Sequence, residues 1–210
     1  ITLADNNAKG TASSQDQGID DIYGIELVKG SNLEGDTIYG NSANNSIWGQ
    51  GGDDTIYGIS GANYLNGGSG ADIIYAGVGA DLLIGESGND TFMTYYNASG
   101  VNEAAKFGAT NTIYGGNWNG TTSSASGSDT VDYGSIIDNT YNIYADLSGT
   151  SNNVEIRTGT TTVHKTDSVI DVNNVRGTSG DDTFRGNANI NVLNGGAGNN
   201  TALYTFTALT

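Results

Sequence analysis

The chain has 210 residues and a formal net charge of −16, from 7 Lys+Arg against 23 Asp+Glu. That balance argues against nucleic acid and anionic membrane as partners, because phosphate binding needs clustered Lys and Arg, and it favours cations. With no Cys and one His, His164, the chain has no disulfide framework, no Cys-ligated metal centre and no two-His zinc site.

In chain order, residues 1–30 read as an irregular β lead-in. From residue 31 to residue 93 the sequence then divides, without a gap, into seven nonamers: SNLEGDTIY, GNSANNSIW, GQGGDDTIY, GISGANYLN, GGSGADIIY, AGVGADLLI and GESGNDTFM. Every eighth position is apolar: Ile38, Ile47, Ile56, Leu65, Ile74, Leu83, Phe92. Every sixth is Asp or Asn: Asp36, Asn45, Asp54, Asn63, Asp72, Asp81, Asp90. Gly fills the fourth position at Gly52, Gly61, Gly70, Gly79 and Gly88, where a turn needs positive φ. The pattern predicts a turn of about six residues and a strand of about three, with one inward apolar side chain per strand. Such a unit buries nothing alone and becomes stable only when stacked into a solenoid. The absence of Pro agrees, since each strand must donate ladder hydrogen bonds.

The segment GGSGADIIY at 67–75 matches the pattern GGxGxDxUx (U apolar) in full, and GQGGDDTIY and GESGNDTFM match it closely. On these residues the chain resembles the RTX proteins, secreted bacterial proteins with calcium-binding nonapeptide repeats. The resemblance implies an all-β, right-handed parallel β-roll, a β-solenoid in which two nonamers make one turn. It also implies calcium held between turns by sixth-position carboxylates and turn carbonyls, and a chain that stays unfolded during type I secretion and folds outside the cell.

If two nonamers make a turn, sixth positions 18 apart share a side. One side then carries Asp36, Asp54, Asp72 and Asp90; the other carries Asn45, Asn63 and Asp81. Calcium takes six to eight oxygens and gains from charged ligands, so the all-Asp side is the expected metal side, with Asp81 as a weaker ligand. Carboxylates stacked about 4.8 Å apart repel strongly without a cation. Asn45 and Asn63 are expected to bridge turns through their amides. Asp53 and Asn89, at fifth positions, are poorer ligand candidates.

Residues 94–176 read as an irregular β-rich continuation. Asn111 and Asp129 are 18 apart, which suggests one full turn across the Gly/Ser/Thr-rich stretch 115–127; SDTVDY at 128–133 looks like a repeat end. The stretch 134–166 reads as the same solenoid with wider turns, and 101–107 (VNEAAKF) as a short helix. Residues 177–210 form a degenerate array, GTSGDDTFR, GNANINVLN and GGAGNNTAL, followed by a strand-like uncharged tail; Asp182 is its single charged sixth position and a weak metal candidate. The lead-ins match: residues 20–28 (DDIYGIELV) align with 167–175 (DSVIDVNNV) at an offset of 147, and ITLAD at 1–5 resembles IYADL at 143–147. The chain thus reads as one module of about 146 residues and the start of the next. With no initiator Met and no leader, it reads as a fragment or processed product.

No enzyme signature is present: no nucleophile elbow, P-loop or zinc-protease helix. His164, in TTVHKTD, reads as an exposed strand residue, and no apolar run approaches the roughly 18 residues of a membrane helix. Tyr39, Tyr57 and Tyr75 form an outward aromatic ladder, read first as sheet stabilisation and second as a contact face for a subunit or glycan. Ice binding is disfavoured because the third positions, from Leu33 to Ser87, carry no Thr ladder. The expected role is a calcium-binding structural module of a bacterial cell-surface or extracellular protein (a surface layer, adhesin or filament) that self-associates or packs on neighbouring modules. The alternatives are the secretion and folding domain of an exported lipase or protease, and a carbohydrate-binding module.

Overall fold

The computed structural model describes residues 1–5, 10–14, 18–94, 109–118, 123–124, 127–149 and 152–204. The chain opens with an antiparallel pair, β1 (Gly10–Ser14) and β2 (Gly18–Ile22). The repeats follow as β3 (Leu27–Lys29), β4 (Thr37–Tyr39), β5 (Ser46–Gly51), β6 (Thr55–Tyr57), β7 (Tyr64–Ser69), β8 (Ile73–Tyr75), β9 (Leu82–Ser87) and β10 (Thr91–Met93). Beyond them come β11 (Thr112–Tyr114), β12 (Asn117–Trp118), β13 (Ser123–Ser124), β14 (Thr130–Asp132), β15 (Tyr141–Asp146), β16 (Asn153–Thr158) and β17 (Thr162–Ile170). The last are β18 (Asn174–Arg176), β19 (Thr183–Arg185), β20 (Leu193–Asn194) and β21 (Thr201–Ala202).

Successive nonamers alternate between two sheets. One has seven strands in the order β20-β18-β14-β10-β8-β6-β4, the other ten in the order β21-β19-β15-β16-β17-β11-β9-β7-β5-β3. Among β4 to β10 every pairing is parallel at a constant offset of 18: Ile38 faces Ile56 and then Ile74, and Ile47 faces Leu65 and then Leu83. Two nonamers therefore make one turn, and the molecule is an all-β parallel roll. The eighth-position side chains from Ile38 to Phe92 are fully buried between the sheets, and Ile113, Val131, Val169 and Val175 extend the same core. Each turn adds only two such residues, so the core is thin and its stability depends on stacking. On the outer face Tyr39, Tyr57 and Tyr75 stack nearly parallel, with ring centroids 4.5 and 4.4 Å apart.

Two expectations for the middle of the chain need correction. Asn111 and Asp129 are not one turn apart. β11 continues the sheet of β9, pairing Thr112 with Leu82, whereas β14 continues the opposite sheet, pairing Thr130 with Thr91. The 18 residues span half a turn, and the β12–β13 hairpin takes up the excess over nine. Nor is 134–166 the solenoid with wider turns. β15, β16 and β17 form an antiparallel meander within the ten-stranded sheet. A reversed strand must be reversed again before the parallel stack resumes, so β16 is flanked by two strands that run with the roll: β17 joins β11 and β15 joins β19, both parallel. The proposed helix at 101–107 lies outside the described residues.

The fourth-position glycines Gly52, Gly61, Gly70 and Gly88 have positive φ. A second left-handed corner falls at the second position, where Gly68 and Gly77 fit it and Gln50 (φ 82°), Ile59 (φ 67°) and Glu86 (φ 72°) adopt it without being glycine. A β-branched residue there is an outlier, and the Ser60 N–H bond to the Gly58 carbonyl (2.9 Å) closes a tight three-residue turn around Ile59. Replacing Ile59 with Gly is expected to raise unfolding stability by about 1 kcal/mol, read as a higher denaturation midpoint of the calcium-loaded chain.

Candidate metal centre

The sixth-position side chains stack into two ladders, one along each edge where the chain enters a strand. In the first, each backbone N–H donates to Oδ1 of the next turn's residue: Asp36 to Asp54 (2.6 Å), Asp54 to Asp72 (2.8 Å), Asp72 to Asp90 and Asp90 to Asp129 (2.9 Å each). In the second, Asn45 donates to Asn63 (2.9 Å), Asn63 to Asp81 (2.8 Å), Asp81 to Asn111 (3.0 Å) and Asn111 to Asp167 (2.8 Å). A short residue with a planar acceptor is needed here, because it must reach the amide of the adjacent turn.

The second oxygen of each carboxylate separates the ladders. Oδ2 of Asp54, Asp72, Asp90 and Asp129 is buried with no hydrogen-bond partner, as is that of Asp81. Each of the first four points at a glycine of its own turn, and a Cβ there would collide with it: Gly49 with Asp54, Gly67 with Asp72, Gly85 with Asp90, Gly115 with Asp129. Carbonyl oxygens close the same spaces, those of Gly67 beside Gly49, Gly115 beside Gly85 and Asp171 beside Gly115. Carboxylate and carbonyl oxygens thus converge with no donor between them. Such an arrangement suits a hard cation, which binds both oxygen types.

The second ladder shows the same oxygen cluster satisfied by other means. Asn63 Nδ2 lies 3.3, 3.1 and 3.4 Å from the carbonyl oxygens of Gly58, Ser60 and Gly61, and 2.9 Å from Asp81 Oδ1. Its amide stands where the first ladder places a second oxygen. Further along, the buried Lys165 ammonium lies 3.2 Å from Asp167 Oδ1, while Tyr133 donates its hydroxyl to Asp167 Oδ2 (2.8 Å). Burial and the adjacent Asp167 charge hold the Tyr133 phenol well above its ordinary pKa, so it stays a donor.

The remaining predicted ligands differ in their surroundings. Asp36 is half-buried at the start of the ladder, and its Oδ2 accepts the Ser31 N–H (2.6 Å). Asp81 keeps one oxygen unpartnered between Asn63 and Asn111. Asp182 is fully engaged: Oδ1 accepts from Ile143 N–H (2.7 Å) and Thr178 Oγ1 (3.0 Å), and Oδ2 from Thr178 N–H (2.8 Å). The fifth-position residues form an outer ladder, with Asp53 Oδ1 taking the Ala71 N–H and Asn89 Oδ1 the Ser128 N–H (2.8 Å each). His164 is exposed. Among the described residues no three acidic or histidine side chains converge on one point; a cation would draw on one or two carboxylates and on turn carbonyls.

Sequence reasoning left Asp129 out of the metal set. Its signal was present in SDTVDY, whose Asp-Thr-Val repeats the Asp-Thr-Ile of the nonamers, but the hairpin insertion hid the register. Lys165 and Tyr133 had no signal, since the meander that carries Lys165 lies outside the nonamer pattern.

This geometry defines a class, a parallel roll whose turns stack carboxylates against turn carbonyls. The family model for the RTX calcium-binding nonapeptide repeat matches residues 32–58, 57–92 and 171–202. Those segments are RTX repeats, and RTX nonapeptide repeats bind calcium. No curated protein matches the chain.

Without a cation the first ladder is a set of desolvated like charges. Burial is the leading cause that raises Asp54 to about 6, Asp72 to about 7, Asp90 to about 7 and Asp129 to about 6; Asp81 rises to about 6 for the same first reason. Raised carboxylate pKa values mean that the folded chain binds more protons than the unfolded one between about pH 4 and 7. Their contribution is present below the unfolded value and is lost as pH rises through 6 to 7. In chelator, the β signal in circular dichroism is therefore expected to be stronger at pH 5 than at pH 8, with calcium abolishing the difference. Equal signals at both pH values in chelator would contradict this account.

Proposed function

We propose that the chain is a calcium-folded structural module of a secreted bacterial surface protein, such as a surface layer, adhesin or filament. The observation that carries this reading is the run of four buried carboxylates with unpartnered Oδ2 atoms, each set against a glycine. On this proposal Asp54, Asp72, Asp90 and Asp129 hold calcium between successive turns, Asp36 completes the first site, and Asp81 is a secondary ligand. Asp182 binds little, because both of its oxygens are already engaged. Calcium replaces protons on the ladder and so couples cation concentration to folding by mass action.

The repeated turn-and-strand pattern, with no catalytic constellation among the described residues, favours a structural role over an enzymatic one. The second copy of the opening segment, beginning near residue 145, supports a tandem array rather than a single secretion tail. The tyrosine rings stack face to face. They cover one another's flat surfaces, which supports sheet stabilisation over glycan binding.

Two measurements test the proposal. Calcium titration followed by circular dichroism, with magnesium as control, is expected to give a cooperative, chelator-reversible gain of β signal; a chain fully folded in chelator at pH 8 would contradict it. Native mass spectrometry is expected to show fewer bound calcium ions for Asp129→Asn than for the parent chain, and an unchanged number for Asp182→Asn. Light scattering in the titration cuvette distinguishes an isolated module from one that assembles.

A further inference from the structure

The opening of the chain is a second copy of the meander that interrupts the roll, and comparing the two copies shows what the N-terminal end is shaped to receive. Leu3 N–H donates to the carbonyl of Tyr39 on β4 (2.9 Å), as Leu147 N–H does to Arg185 on β19 (2.8 Å). Thr2 pairs antiparallel with Thr11 as Asp146 pairs with Asn153, and Thr11 pairs with Asp21 as Asn153 pairs with Ser168. Residues 1–3, β1, β2, β3 and β4 thus correspond to β15, β16, β17, β18 and β19. The register sets Asp20 on Asp167, Gly24 on Asp171 and Val28 on Val175, the same offset of 147 that the sequence alignment has. Gly24 and Asp171 share a left-handed backbone, with φ of 57° and 55°.

In the internal copy this surface is covered. β11 lies against β17, pairing Tyr114 with Ile170, and β14 lies against β18, pairing Val131 with Val175. Asn173 and Asn174 both donate their N–H groups to the Asp129 carbonyl (3.1 and 2.9 Å), and Gly115 donates to the Ile170 carbonyl (2.9 Å). Val172 is 3% exposed and Asn174 9%. At the N-terminal copy the corresponding Ile25 and Leu27 are 37% and 58% exposed, and Tyr23, the counterpart of Ile170, is 53% exposed. Three large apolar side chains lie open on one short segment, at positions whose counterparts pack against the turn before.

We infer that the N-terminal end of the roll, over residues 21–29, is a docking face for the last turn of another module of this kind, which precedes it in tandem. The strands of that turn stand on β2 and β3 as β11 and β14 stand on β17 and β18. The occupant is a roll turn of the type formed by residues 109–132, not the tail of an identical chain: β20 and β21 correspond to β5 and β6, so end-to-end stacking of copies would not rebuild this junction. The inference depends on the calcium-folded reading only in that the roll must be folded.

The test is a tandem protein with residues 1–144 fused ahead of the full 210-residue chain, studied by hydrogen exchange in calcium. The Glu26 and Leu27 amides of the downstream copy are expected to slow at least about tenfold relative to the 210-residue chain, approaching Asn173 and Asn174 in the same sample. Unchanged exchange at Glu26 and Leu27, with Asn173 and Asn174 still protected, would overturn the inference. So would concentration-dependent protection in the 210-residue chain alone, which would assign the face to a second copy. If the calcium reading failed instead, Asn173 and Asn174 would themselves be unprotected. As a second readout, Ile25→Asp in the downstream copy is expected to abolish the gain in the tandem and to leave the 210-residue chain unaffected; equal losses in both would also overturn it.

Discussion

A backbone amide of one turn donating to the side-chain oxygen of the next is the contact on which this roll depends. It recurs from Asp36 to Asn173 on one edge and from Asn45 to Asp167 on the other. It fixes the residue type, because only Asp or Asn has an acceptor at that reach, and it fixes the register, because each side chain belongs to two turns. It also creates the main problem of the structure. Satisfying the amides this way stacks carboxylates in a buried column, where desolvation and mutual repulsion disfavour ionisation.

Along the two ladders the inner turn oxygens are met in different ways. Asn63 turns an amide nitrogen toward the carbonyls of Gly58, Ser60 and Gly61, which removes the charge and supplies donors together. Asp167 meets the Lys165 ammonium and the Tyr133 hydroxyl, which oppose the upward push of burial on its carboxyl. Asp182 takes neutral donors from Thr178 and Ile143. Asp54, Asp72, Asp90 and Asp129 keep the carboxylate and have no such partner at Oδ2. One backbone geometry thus accommodates an amide, an ammonium partner or an unpartnered carboxylate oxygen, and the residue at that position together with the groups folding brings beside it decides which.

The meander has a different physical role. A purely parallel roll can be extended turn by turn and offers no natural boundary. Reversing one strand, β16, marks a boundary while keeping the ten-stranded sheet continuous, since β15 and β17 both run with their outer neighbours. The buried Lys165 enters on this meander, so the turn that interrupts the calcium-type pattern also brings its own positive charge.

Much of this was legible in the sequence. The nine-residue period, the apolar eighth position and the Asp or Asn sixth position determined the strands and the inward residues from Ile38 to Phe92, because these depend on contacts that recur at fixed spacing; the two-nonamer turn, and with it the ladder from Asp36 to Asp90, came from the resemblance to RTX proteins. The offset of 147 between the lead-ins was likewise legible and survives as a structural equivalence. The tertiary structure alone decided where the period breaks. Asp129 rejoins the ladder across a hairpin, β16 runs backwards, and Lys165 meets Asp167 and Tyr133 inside the roll; spacing along the chain carries no information about contacts made across insertions of irregular length. It also decided which carboxylates keep an unpartnered oxygen. Asp72 and Asp182 occupy the same position of the same motif, and the contacts of Asp182 with Thr178 and Ile143 separate a carboxylate whose oxygens are all engaged from one with an unpartnered oxygen.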